Sequence, residues 1–210
     1  MEDIKMSIEI PMTMTGIRKF VFDVIMELKA SNHKTTYEMI DFGFGIQEYS
    51  VKKLGDLCSM INDLDEVKHK IHFDGQEAFS ILYSMADSQN DKVIGSYAIS
   101  EYSAAFTQML FISLMVRSGD LESRQHVIRF DKLHCFQTIQ FLIRDGVVNV
   151  LCNMRSCNLL RNFMTDMYIA GEFGCYIADA AAEARKLDTD YRIDVHMRIG
   201  SAHVYKCEVR

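Results

Sequence analysis

The sequence has no apolar run of the roughly 18 to 20 residues needed to cross a bilayer. Its start, MEDIKMSIEIPM, lacks a basic segment followed by an apolar one. A spanning helix and a secretory leader are therefore not expected, and a cytoplasmic location is. An excess of positive charge is missing too: 23 Lys and Arg stand against 29 Asp and Glu, for a net charge of −6. Duplex nucleic acid and anionic membranes are poor partners for such a chain by bulk electrostatics, although a local anion site is compatible with it.

The six cysteines, at 58, 135, 152, 157, 175 and 207, include no CxxC pair, so neither a disulfide scaffold nor a redox dithiol is indicated and free thiols are expected. The seven histidines are scattered, which leaves no close, repeated Cys/His spacing for zinc and no metal site to expect. Repeats and low-complexity linkers are also lacking. What remains is 210 residues that are 49% hydrophobic and 25% charged, enough for one domain, 1–210, with a substantial core.

Hydropathic periodicity predicts a core helix over 15–31, with Phe20, Val24, Ile25 and Leu28 on its inner face. Gly43 and Gly45 within 37–51 suggest a strand that bends or bulges. A helix with a solvated end is expected over 54–70, and a helix in the segment from Gly75. Over 101–117 a second amphipathic helix places Phe106, Met109, Leu110 and Leu114 on one face, with Gly119 just past its end as a cap. A strand over 127–130 leads into a hairpin of strands 137–144 and 147–154 joined at Asp145-Gly146. A helix over 167–187 follows, then a strand over 191–199 that Gly200 turns into a last strand over 202–209. Together these elements predict an α+β fold with a mixed sheet covered by helices on one side.

The chemistry-bearing residues gather around the hairpin. Cys135 opens its first strand and Arg155-Ser156 closes the second, so the antiparallel return brings thiol and guanidinium together, and a nearby cation favours the reactive thiolate. On pattern alone Cys135 reads just as well as a small buried hydrophobe.

The order His134-Cys135, Gln140-Phe141, Asp145-Gly146, Arg155-Ser156-Cys157 and Ser201-Ala202-His203-Val204-Tyr205 resembles the catalytic half of the thymidylate synthase and deoxycytidylate hydroxymethylase superfamily over about residues 95–206. The separations from Cys135 to Arg155 and from Arg155 to Asp166 match that family without a gap. The resemblance implies a homodimer packed sheet to sheet, a pyrimidine nucleoside monophosphate as substrate and 5,10-methylenetetrahydrofolate as one-carbon donor. It makes Cys135 the nucleophile that attacks C6, with Arg155 and Ser156 on the 5′-phosphate and His203 and Tyr205 on the ribose. Tyr97 stands for the family's tyrosine near the cysteine, and Glu77 for its general acid/base, although an exposed helix glutamate is an equal reading of Glu77. Ser123-Arg124-Gln125 resembles the Ser-Arg-Arg whose arginines reach the partner's phosphate, and only Arg124 of the two is present.

Asp166 occupies the position of the asparagine that pairs with uracil in the synthases. A carboxylate there accepts from the N4 amino group of cytosine, which makes deoxycytidylate hydroxymethylation the expected activity. Asp166 could instead cap a helix beginning at Met167. Asn158 replaces the aspartate that contacts the folate pterin in the family, Phe136 and His134 replace the residues on either side of the nucleophile, and the closing tail after Tyr205 is short. These departures leave open a uridylate-specific enzyme, or a degenerate homodimer that binds nucleotide or a protein partner without turnover.

Overall fold

The computed structural model describes residues 13–30, 36–71, 73, 93, 94, 97–130, 134–186 and 190–210; at 36–42, 44, 93, 94 and 97–102 it describes the backbone alone. In chain order the described elements are α1 (Met14–Ala30), β1 (Thr36–Ile46), α2 (Val51–Asn62), β2 (Val93–Ile94), β3 (Tyr97–Ala98) and α3 (Ile99–Arg117). There follow β4 (Val127–Arg129), β5 (Phe136–Arg144), β6 (Val147–Asn158), α4 (Phe163–Arg185), β7 (Arg192–Tyr205) and a 3-10 turn (Lys206–Glu208). The expected α+β class holds. The segment from Gly75 lies outside the described residues.

The main sheet has five strands in the order β1-β7-β6-β5-β4. Every neighbouring pair is antiparallel except β6 with β7, which is parallel and makes the sheet mixed. Burial alternates along the strands with the two-residue period of a pleated sheet. Ile139, Phe141 and Ile143 of β5, Val148, Val150 and Cys152 of β6, and Val195, Met197 and Ile199 of β7 are all buried. Between them, Gln140, Leu142, Asn149, Leu151, His196 and Arg198 are half-buried or exposed, so the opposite face is open.

The helices lie on the apolar face. In α1 the buried residues Ile17, Phe20, Val21, Val24, Ile25 and Leu28 follow the 3.6-residue period and form one stripe. Helix α4 is buried on nearly every side, from Phe163 to Ala181, because it lies across β5, β6 and β7 beneath α2 and α3. Two glycines let it come that close. A Cβ on Gly174 would stand 2.7 Å from Val150 and 2.9 Å from Ile193, and one on Gly171 would stand 2.1 Å from the Tyr49 ring.

Several expectations need correcting. Helix α2 ends at Asn62 and does not run on to Lys70, because the Asn62 amide brackets Ile71: its Nδ2 donates to the Ile71 carbonyl at 2.8 Å and its Oδ1 accepts from the Ile71 N–H at 2.6 Å. The chain then bridges Val67 to Val209. Strand β1 pairs with β7 in constant register from Thr36 opposite Tyr205 to Ile46 opposite Val195, without a bulge. In α3 the inner face is Ala105, Phe106, Met109, Ile112 and Val116, while Leu110 and Leu114 are exposed. Gly119 does close that helix, with φ of 104° and its N–H on the Val116 carbonyl. Finally, β7 runs unbroken through Gly200 to Tyr205, where the chain turns into the 3-10 segment.

Candidate functional site

The sheet is kinked at one level across three adjacent strands. On β5 the pairing with β6 shifts between Phe136 and Thr138, which leaves Gln137 as a bulge. On β6 the alternation of buried residues slips by one at Arg155, and on β7 it slips at Gly200, although those two strands keep one pairing register throughout. Gly200 is needed there because a Cβ would lie 2.9 Å from the Arg155 carbonyl oxygen. Bulges and kinks of this kind turn side chains out of the regular pleat, and they cluster where a sheet must aim functional groups.

Cys135 sits at this kink. Its carbonyl accepts the Arg155 N–H at 2.7 Å, and its sulfur lies 3.8 Å from the Ser156 hydroxyl. Cys135 and Ser156 are half-buried and the Arg155 side chain is exposed. The backbone ladder thus brings Cys135 beside Arg155 and Ser156, with the thiol near the Ser156 hydroxyl and the Arg155 backbone N–H on the Cys135 carbonyl. Flanking it, His134 is buried and its ring lies 5.7 Å from that of Phe130, while Phe136 stacks on Phe130 at 5.3 Å. Beside the group, on the open side of the sheet, a cavity of about 330 Å³ is lined by Gln137, Thr138, Asn153, Met154, Arg198 and Gly200.

One residue beyond Ser156, the Cys157 thiol donates to Oδ2 of Asp166 at 3.4 Å, and both residues are only 2% exposed. Burial first, and the Asp166 carboxylate second, push the Cys157 thiol well above the ordinary thiol range. Asp166 is not the N-cap of α4. That position is Asn162, and the Asp166 N–H already donates to the Asn162 carbonyl at 2.8 Å inside the first turn.

The ribose candidates stand on the neighbouring strand, where Ser156 pairs with Ser201 and Asn158 with His203. His203 and Tyr205 meet edge to face at 5.2 Å, and the Arg161 guanidinium lies 6.0 Å from the Tyr205 ring centre. Asn158 itself is occupied. Its Nδ2 donates to the buried Glu208 carboxylate at 3.0 and 3.3 Å, and its Oδ1 accepts the Leu160 N–H at 2.9 Å. Glu208 also accepts the Tyr205 N–H at 2.8 Å and pairs with Arg161. Sequence reading missed Glu208 because its partners are assembled only when the 3-10 turn folds back onto the end of β6.

Arg124 lies apart from this group. Its carbonyl accepts from the Gln140 side chain at 2.9 Å, and the neighbouring Glu122 carbonyl accepts from Arg144 at 2.9 Å, which holds the loop over the far half of β5. Tyr97 is in β3, where the backbone alone is described, and Glu77 lies outside the described residues. Among the described residues no group of His, Cys, Asp and Glu is arranged to hold a metal ion. No helix of the described residues is long and apolar enough to cross a membrane.

No protein-family model and no curated protein sequence matches this chain.

Proposed function

We propose that the protein transfers a one-carbon unit to C5 of a pyrimidine nucleoside monophosphate through a covalent adduct between Cys135 and C6, and that its substrate is deoxycytidylate, which it hydroxymethylates. The observation that carries this reading is the placement of Cys135 at the sheet kink, 3.8 Å from Ser156 and bonded through its carbonyl to Arg155. A thiol beside a hydroxyl, on a strand position paired with an arginine whose side chain is exposed, suits a nucleophile that works next to a bound phosphate.

In the proposed reaction the Cys135 thiolate adds to C6, and the electron pair of the C5–C6 bond moves to C5. C5 then attacks the carbon of a one-carbon electrophile at the formaldehyde oxidation level, and water, adding as the carrier of that carbon leaves, supplies the hydroxyl. Loss of the C5 proton and expulsion of the thiolate restore the aromatic ring and the free cysteine. Arg155 and Ser156 hold the phosphate, His203 and Tyr205 the ribose, and Asp166 the amino edge of the base. Arg124 serves the partner's site across the open sheet face in a homodimer.

The residues present do not fit a folate pterin at the expected contact, because both ends of the Asn158 amide are spent on Glu208 and on the Leu160 N–H. No step is therefore drawn through methylenetetrahydrofolate.

Release of tritium from C5-labelled nucleotide reports C6 attack coupled to loss of the C5 proton. We expect release from dCMP exceeding that from dUMP, abolished in Cys135→Ala, and measured with and without methylenetetrahydrofolate. Nucleotide should also protect Cys135, and leave the exposed Cys207 unprotected, when the protein is treated with limiting alkylating reagent. No release from either nucleotide, together with no protection of Cys135, would falsify the reading.

A further inference from the structure

The Cys157–Asp166 pair is the most deeply buried polar contact beside the proposed site, and the reaction as written uses only one of its members. Both side chains are 2% exposed, and the sulfur lies 3.4 Å from Oδ2. A buried carboxylate is costly unless donors satisfy it. A thiol is a weak donor in general, but one held against a carboxylate in a water-poor interior gains from charge assistance.

We propose that Cys157 is a positioning residue: its S–H holds Asp166 in one orientation and in the carboxylate form, and through Asp166 it sets the choice of cytosine over uracil. The proposal rests on the nucleotide reading above.

Three observations support it. Burial and the neighbouring Asp166 side chain both hold the Cys157 thiol protonated, so the sulfur is the donor of the contact. The Asp166 side chain faces two buried thiols of β6, those of Cys152 and Cys157, and raises the pKa of both. Finally, Cys157 directly follows Ser156 on β6 while Asp166 lies in the first turn of α4, so the contact ties the strand that carries the phosphate residues to the helix that carries the base-reading one.

The expected consequence of removing the donor follows from the base edges. A carboxylate accepts from the N4 amino group of cytosine and repels O4 of uracil, whereas a protonated acid can donate to O4. Without the S–H, the buried Asp166 loses a hydrogen bond to its charged form and takes up a proton more readily. Discrimination should then fall, chiefly because dUMP binds better. A hydrogen bond to a charged group carries enough energy for about a tenfold loss of preference.

The test compares dCMP and dUMP binding by titration calorimetry for the wild type, Cys157→Ala, Cys157→Val and Cys157→Ser, with thermal melts to establish folding. Valine fills the space of the thiol without a donor, so it replaces alanine if the smaller side chain does not fold. Serine restores a donor. We expect the wild type to prefer dCMP, Ala and Val to lose about tenfold of that preference, and Ser to keep it. The infrared S–H stretch of Cys157 should also rise in frequency in Asp166→Asn, where the acceptor is neutral.

Cytosine preference unchanged in folded Ala and Val variants would overturn the proposal and leave the nucleotide reading standing. So would a Ser variant no different from Val, or an S–H band indifferent to Asp166. A wild type that binds neither nucleotide removes the nucleotide reading itself, and this inference with it.

Discussion

At the level of single residues, the tightest constraint is the contact between Gly171 and Tyr49. A methyl group at 171 would lie 2.1 to 2.4 Å from three ring atoms of a tyrosine that is itself 8% exposed, so Gly171→Ala must move the ring or the helix. Overpacking of this kind costs about 3 kcal/mol, and a chemical denaturation midpoint lowered at unchanged slope is the expected reading. The same tyrosine donates to Glu172 at 3.0 Å. Burial raises the Glu172 pKa above the ordinary 4.5, and the Tyr49 hydrogen bond lowers it by less. A carboxyl group whose folded pKa is raised contributes stability that is complete below the unfolded value and is lost as pH rises through the folded one. Glu172→Gln should thus be more stable than the wild type at neutral pH, with the gap closing as the pH falls towards 4.5. Thermal melts of both proteins across that range check the sign, and a constant gap would mean that the charge is not what matters. Some site residues could be read at this scale without the structure: Cys135, Arg155 and Ser156 are brought together because a hairpin fixes which residues face each other. Glu208 could not be read, since nothing local marks a glutamate that will bond Asn158, Tyr205 and Arg161 only after the chain end folds back.

The elements divide in the same way between what periodicity specifies and what it leaves open. Helix α1 and the β5–β6 hairpin were legible because a single apolar face at helical spacing, and an Asp-Gly turn between apolar strands, have few alternative readings. Helix α3 was harder. Apolar residues occur around much of its circumference, so the sequence could not say whether Leu110 and Leu114 or Ala105 and Ile112 face inward, and the structure buries the second pair. The sheet kink was invisible for another reason: Gly200 reads as a turn in a sequence, but here it is a close approach between two strand backbones inside one continuous strand. Gly200→Ala tests that role. Its Cβ would meet the Arg155 carbonyl oxygen at 2.9 Å, and since both are backbone-fixed the strands must part. A loss of about 2 kcal/mol is expected. It should come with a fall in tritium release larger than Gly43→Ala produces, because the nearest atom to a Cβ at Gly43 is 3.8 Å away. Equal effects of the two substitutions would separate the kink from the site.

At the scale of the whole molecule, the position of Arg124 bears on the number of chains that make one site. Its loop is tied to Gln140 and Arg144, and Gln140 is five residues along from Cys135. At the rise of an antiparallel strand that is about 17 Å, and the side chain of Arg124 starts from the far end of that distance. Within one chain Arg124 thus starts well along β5 from the Cys135–Arg155 pair. The open sheet face next to this loop carries Gln140, Leu142, Leu151 and His196, neither fully polar nor fully buried, the composition of a surface that another sheet can cover. If two copies pack through this face about a two-fold axis, any contact that Arg124 makes with the other copy's kink is made in both directions. Mixed variants decide between one chain and two. Arg124→Ala protein and Cys135→Ala protein should each be inactive or nearly so in tritium release. After subunit exchange, a heterodimer contains one site with both residues intact, so activity should return towards about a quarter of the wild-type level for random pairing. Absence of rescue in a mixture whose exchange is demonstrated by tagged-subunit capture would mean that Arg124 acts within its own chain or not at all.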